Sequence, residues 1–228
     1  MYGGCTVWGR LGAAVTAALL LGLVGGCAAD TGASPAGQPA GSPAAAKAQP
    51  AKAQPGQPWR DDTKPAAAAG KFSGRTCDVP ISFDLAASWS PKAVKLDGGE
   101  LDALAKQGGA TMKCEIDAKP AGNIGFLRVW TPDQRGATPQ QVLKAFLAGE
   151  KRLSEQQYRD TSAGGLTAAE VTYLRYSPIT EESKRERVLA VQAPTGIALL
   201  VLSGFNNQEY EEMLPAYLLA QQSLTPNP

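Results

Sequence analysis

The chain has 228 residues, with 22 basic and 21 acidic side chains, four cysteines and no histidine. That balance excludes the basic surface that nucleic acid or a polybasic membrane patch requires. A chain without imidazole has no Ser-His-Asp or Cys-His catalysis, none of the usual zinc sites and no histidine pH switch.

Arg10 is the sole charge ahead of Leu11–Val24, an apolar run of about 14 residues, short for a hydrocarbon core of about 30 Å. A charged start, a short apolar middle and small residues at its end describe a secretory signal. Val24-Gly25-Gly26-Cys27 resembles the lipobox of bacterial lipoproteins, in which the cysteine is diacylated and cleavage falls just before it. The resemblance implies a signal peptide over 1–26, a lipid on Cys27 and a protein anchored at the extracytoplasmic face of the cell membrane. The alternative is an ordinary signal peptide cleaved near Ala28. Two acyl chains are enough for stable anchoring. Cys5 falls in the removed part. Lipidation of Cys27 then leaves Cys77 and Cys114 as an even pair in an oxidising compartment, where a disulfide is expected. Two buried free thiols are the alternative.

Residues 27–72 read as a disordered tether rich in Ala, Pro and Gly, including the repeated unit Ala46–Pro50 and Ala51–Pro55. Such composition buries too little apolar surface to offset the entropy of ordering. Within it Trp59 reads as solvated, with docking on the domain as the alternative.

One domain is expected over 73–228. Val79–Leu85 is a partly alternating strand, and Ala86–Trp89 leaves it, with Pro91 stopping any extension. Gly98-Gly99-Glu100 opens a short helix with Leu101 and Leu104 on one face, ended by Gly108-Gly109. Met112–Ala118 and Ile124–Trp130 are strands joined by the turn residues Pro120–Asn123. Thr138, Pro139 and Gln141 make a capping box with proline at the first helical position. Val142, Leu143, Phe146 and Leu147 form the apolar stripe of that helix. Leu153–Thr161 is a polar edge strand. Leu166–Tyr176 and Arg187–Ala193 are further strands, and Glu181–Arg187 is a charge run expected to be a solvated loop, with partner docking as the alternative. After the turn Pro194–Gly196, Ile197–Phe205 is apolar on both alternating faces, as a central, doubly covered strand requires. Tyr210, Met213, Leu214, Tyr217 and Leu218 follow helical spacing, with Pro215 expected to kink or split the helix. Strands that pair antiparallel and amphipathic helices together predict an α+β fold, an antiparallel sheet between helices in an α/β/α sandwich.

Val79-Pro80-Ile81-Ser82-Phe83-Asp84-Leu85-Ala86-Ala87-Ser88-Trp89 resembles the opening F-x-L-P-x-x-W segment of PsbP/Mog-like proteins. The order of capped helix, long hairpin strands and closing helix to Ser223-Leu224 is similar to actinobacterial lipoproteins of the LpqN type. The resemblance spans about residues 75–224. It implies a sheet between helices and a binding or assembly role, and it brings no catalytic residues.

The candidate chemistry is sparse. Asp84, Asp97, Glu100, Asp102 and Glu170 are scattered acids. Asp97 and Glu100 fit a capped helix start better than a cation loop, which needs more oxygen ligands. Ser183-Lys184 lacks the S-x-x-K spacing of serine acyltransferases. Trp89, Trp130, Tyr173 and Tyr176 line either the core or a groove for a glycan or lipid. The expected function is therefore a non-catalytic binding or assembly module at the cell envelope, not an enzyme. No cofactor or metal is expected, and the partner is an envelope protein or an apolar ligand. The alternatives are a carrier of a small apolar or glycolipid ligand and a hydrolase working with carboxylates alone. If Cys27 carries the anchor, Cys27→Ser releases the protein to the medium or leaves it unprocessed, as fractionation with intact-mass analysis will read.

Overall fold

The computed structural model describes residues 58–227. The expected signal peptide, Cys27 and the expected tether up to residue 57 lie outside the described residues. Residues 58–72, expected in the tether, lie along the domain and supply its first strand, β1 (Gly70–Phe72). β2 (Ile81–Leu85) follows a 3-10 turn at Gly74–Thr76. β3 (Ser90–Ala93) then extends through Pro91, which the sequence reading gave as a stop. Proline is tolerated there because β3 is the edge of its sheet, where one row of amides needs no partner.

The segment Glu100–Ala105 is a 3-10 helix, and Leu104 stands 73% exposed rather than packed. β4 (Lys106–Gln107) turns at Gly108 into β5 (Ala110–Asp117), and β6 (Gly125–Pro132) returns beside it. A Cβ on Gly108, whose φ is +52°, would meet the Ala145 carbonyl oxygen at 2.4 Å, so this turn can press directly on helix α1 (Pro139–Ala148). α1 starts with the predicted capping box. β7 (Leu153–Ala163), β8 (Leu166–Ser177), β9 (Glu182–Ala193) and β10 (Gly196–Gly204) form an antiparallel meander. α2 (Asn207–Gln222) and β11 (Thr225–Pro226) close the described chain.

The large sheet runs β3-β5-β6-β10-β9-β8-β7, with β4 added on β5, and every pairing is antiparallel. β10 is central, as its two-sided apolar pattern requires. Its Leu199 and Leu200 point to opposite faces and both are fully buried. One face packs Leu199, Ala190 and Val171 against Leu143 and Phe146 of α1. The other packs Leu200, Leu189 and Leu127 against Tyr210, Met213 and Tyr217 of α2. β1, β2 and β11 form a second small sheet whose Phe72, Ile81 and Phe83 join that second core. The fold is the α/β/α arrangement expected from the sequence, with this small sheet added beside α2.

Two readings change. Glu181–Arg187 is not a loop: from Glu182 it is the first half of β9, with Glu186 and Arg187 buried. Nor is α2 split at Pro215, for it runs as one helix. Proline cannot donate within the helix, and its own carbonyl accepts from the Ala66 amide at 2.9 Å. The packed face of Met213, Leu214 and Tyr217 holds the helix together across the missing bond.

Cys77 and Cys114 form the expected disulfide, with Cα atoms 5.6 Å apart and a sequence separation of 37. It ties the stretch before β2 to β5, across the two sheets. Closing a loop of this length is worth about 3–4 kcal/mol in chain-entropy terms. Replacing both cysteines with serine will therefore lower the unfolding free energy in urea by about that amount.

Candidate functional site

The sheet face beneath α1 is not fully covered. A groove of about 460 Å³ opens between the β5–β6–β10–β9–β8 surface, the Phe146 end of α1 and the exposed Leu104. Its apolar wall is Met112, Trp130, Phe146 and Val201. Trp130 and Phe146 meet edge to face, ring centroids 5.3 Å apart. The Trp130 indole N–H is buried and has no acceptor among the described residues. A buried donor left unpaired costs about 1–3 kcal/mol.

The other end of the groove is ionic. Glu186 is 4% exposed. It accepts from the Tyr173 hydroxyl (2.8 Å) and Arg175 Nε (3.0 Å) on one oxygen, and from the Ser203 hydroxyl (2.8 Å) on the other. Lys184 Nζ lies 3.5 Å from it. Burial alone pushes this carboxyl up, but Arg175, Lys184 and the two hydroxyls outweigh it and hold it below its ordinary value. Burial and the neighbouring Glu186 push the Tyr173 phenol well up, so it stays a donor. Arg175 also pairs with Glu150. Across the groove Arg128 Nε donates to Glu115 at 2.8 Å, and its guanidinium sits 4.5 Å from the Phe126 ring centre.

A second ionic cluster sits on the opposite face. Successive strand residues point to opposite sides, so Arg187 faces α2 while Glu186 faces α1. Glu170 of β8 is fully buried and accepts from Arg187 Nε (3.0 Å) and Nη2 (2.9 Å), and from the Tyr217 hydroxyl (2.7 Å). Arg159 donates to it twice, at 2.9 and 2.7 Å. Trp59 is docked here, 4.1 Å from the Arg159 guanidinium, not solvated as expected.

The four aromatics do not share one site. Trp130 and Tyr173 line the groove. Trp89 is buried in the core on the α2 side. Tyr176 is 41% exposed beside a separate depression formed with Glu150 and Pro178. Asp97 and Asp102 accept from the Gly99 and Gly98 amides, but the helix start at Glu100 is not capped as expected: Gly99 stands at the N-cap with no side-chain bond. In the sequence Glu170 reads only as a scattered acid, and Glu186 falls in a charge run read as a loop that runs into Arg187, the first residue of the next expected strand. Their signal is the polar residues Glu170 and Thr172 inside an otherwise apolar alternating strand, which demand partners once buried.

A family model matches residues 48–224. The chain belongs to this family of uncharacterised lipoproteins. No curated protein matches it. Among solved structures it is similar to cyanobacterial PsbP (CyanoP) from Synechocystis sp. PCC 6803, at 11% identity and a TM-score of 0.46, covering 70% of this chain and 93% of that one. It is also similar to LpqN of Mycobacterium tuberculosis, a protein involved in cell envelope biogenesis, at 15% identity and a TM-score of 0.38, covering 65% and 83%. The family agrees with the lipoprotein reading of the sequence.

The lowered Glu186 pKa sets the direction of an expected pH response. A carboxyl whose folded pKa is depressed contributes stability above its unfolded value, and that contribution disappears as pH falls through the folded value. Below about pH 4.5, the ordinary value for Glu186, the melting temperature of the native protein will fall more steeply than that of Glu186→Gln, as calorimetry between pH 7 and pH 3 will read.

Proposed function

We propose that this lipoprotein is held at the extracytoplasmic face of the cell envelope through Cys27, and that its domain is a non-catalytic binding module using the groove beneath α1. The observation that carries this reading is the groove itself: an apolar wall of Met112, Trp130, Phe146 and Val201 beside a fixed ion cluster around Glu186. Ligand sites have this mixture of apolar lining and a few fixed polar groups.

The acid–base chemistry of the groove supports binding over hydrolysis. A carboxylate-only hydrolase needs one carboxyl held protonated near neutral pH. Glu186 is held in the opposite direction, and Glu115 is paired with Arg128. A second reading, a carrier of an amphipathic ligand, draws on the apolar wall of Met112, Phe146 and Val201.

The test is site-specific photo-crosslinking in intact cells, with the reactive group at the exposed Leu104 on the groove rim and a control at Lys71 on the small sheet. A protein adduct from position 104 and none from 71 supports the binding module. A lipid-mass adduct supports the carrier. Equal labelling from both positions, or none from 104, overturns the groove as the working site.

A further inference from the structure

The segment that leads into the domain is held by charge and one aromatic ring rather than by burial. No residue from 58 to 71 is buried, and Phe72 is the first of this stretch to enter the core. The Trp59 ring centre lies 4.1 Å from the Arg159 guanidinium and 5.4 Å from that of Arg187. Arg187 Nη1 donates to the Trp59 carbonyl at 2.8 Å. Asp61 accepts two parallel bonds from Arg159, at 2.6 and 2.9 Å. Arg60 reaches Glu211 of α2 at 2.6 Å.

The receiving side is organised from beneath. Glu170 binds both guanidinium groups through its own oxygens, and Tyr217 holds Glu170. That fixes the planes of Arg159 and Arg187, and their remaining donors face the segment. A rigid two-arginine fork selects a carboxylate by bidentate bonding, and its outer face selects an aromatic ring. The fit is incomplete on the far side: beside Asp61 a depression of about 440 Å³ remains, lined by Ser162, Leu218 and Gln221. The Thr63 hydroxyl at its edge is buried with no partner among the described residues.

We propose that this cleft between β7–β9 and α2 is a recognition site for a peptide carrying an aromatic residue followed two positions later by a carboxylate, and that Trp59–Asp61 fills it in cis as a displaceable plug. Attachment to the domain gives the plug an effective concentration on the order of millimolar. The plug therefore stays seated until a partner segment of the same chemistry is delivered close by. The contacts that hold it are partly exposed charge pairs, which salt weakens. Release lets the leading segment leave the domain near residue 70 instead of residue 58.

The probe is a labelled synthetic peptide of residues 56–64, titrated by fluorescence anisotropy into the full chain in detergent. The native chain is compared with one carrying Trp59→Ala and Asp61→Asn. The unplugged variant is expected to bind the peptide at least tenfold more tightly than the native chain. That binding should weaken as salt rises and disappear when the peptide itself carries Trp59→Ala. A folded variant that ignores the peptide, or equal binding by both chains, overturns the proposal. Should the variant not fold, hydrogen exchange on the native chain decides. The Thr63 and Ala66 amides, bonded to the Arg60 and Pro215 carbonyls, are expected to exchange at least a hundredfold faster than those of β10. Exchange only with global unfolding makes the segment a permanent part of the fold and overturns the plug. The groove beneath α1 is on the other face, so these outcomes are independent of the crosslinking at Leu104.

Discussion

Two neighbouring strands of this sheet carry a buried ionic cluster on each face, and the rest of the molecule is arranged around keeping both satisfied. β8 and β9 pair Thr172 with Arg187 and Tyr173 with Glu186. The pleat sends Arg187 towards α2 and Glu186 towards α1. Moving an ion out of water costs several kcal/mol after relaxation, and only near-complete hydrogen bonding offsets it. Glu170 meets that condition with two arginines and a tyrosine, and Glu186 with an arginine, two hydroxyls and a nearby lysine. Tyr217 must therefore come from α2, and Ser203 from β10. The ion clusters thus set the register of the meander as well as its chemistry.

The two faces put their clusters to different use. On the α1 side the helix is only ten residues long. It covers Val171, Val188 and Leu199, while the groove past Phe146 stays open over the Glu186 end. On the α2 side the longer helix and the small sheet complete the core. The remaining opening over Arg187 is closed by Trp59–Asp61. The Cys77–Cys114 bond ties the stretch between β1 and β2 to β5, so the two sheets are covalently joined.

Much of this was legible in local sequence signals. The Thr138-Pro139-Gln141 box, the turn around Gly122 and the two-sided β10 all depend on a few adjacent residues, and each stands where expected. Pro91 and Pro215 misled because proline's local cost was taken without its setting. An edge strand needs no amide at Pro91, and a fully packed helix face survives one missing bond at Pro215. Trp59 misled because its partners, Arg159 and Arg187, lie far along the chain.

The sequence by itself determined the periodic elements, the balance of charge and the lack of any imidazole, and it pointed to Cys77 and Cys114 as a pair. These follow from composition and spacing. Only the tertiary structure decided that residues 182–186 belong to a strand and that Glu170, Glu186 and Arg187 are buried. It alone brought Trp59 onto Arg159. The reason is that a charge is tolerable inside a protein only if its partners arrive from other strands and helices. Nothing within a few residues of Glu186 announces that Tyr173, Arg175 and Ser203 will meet it there.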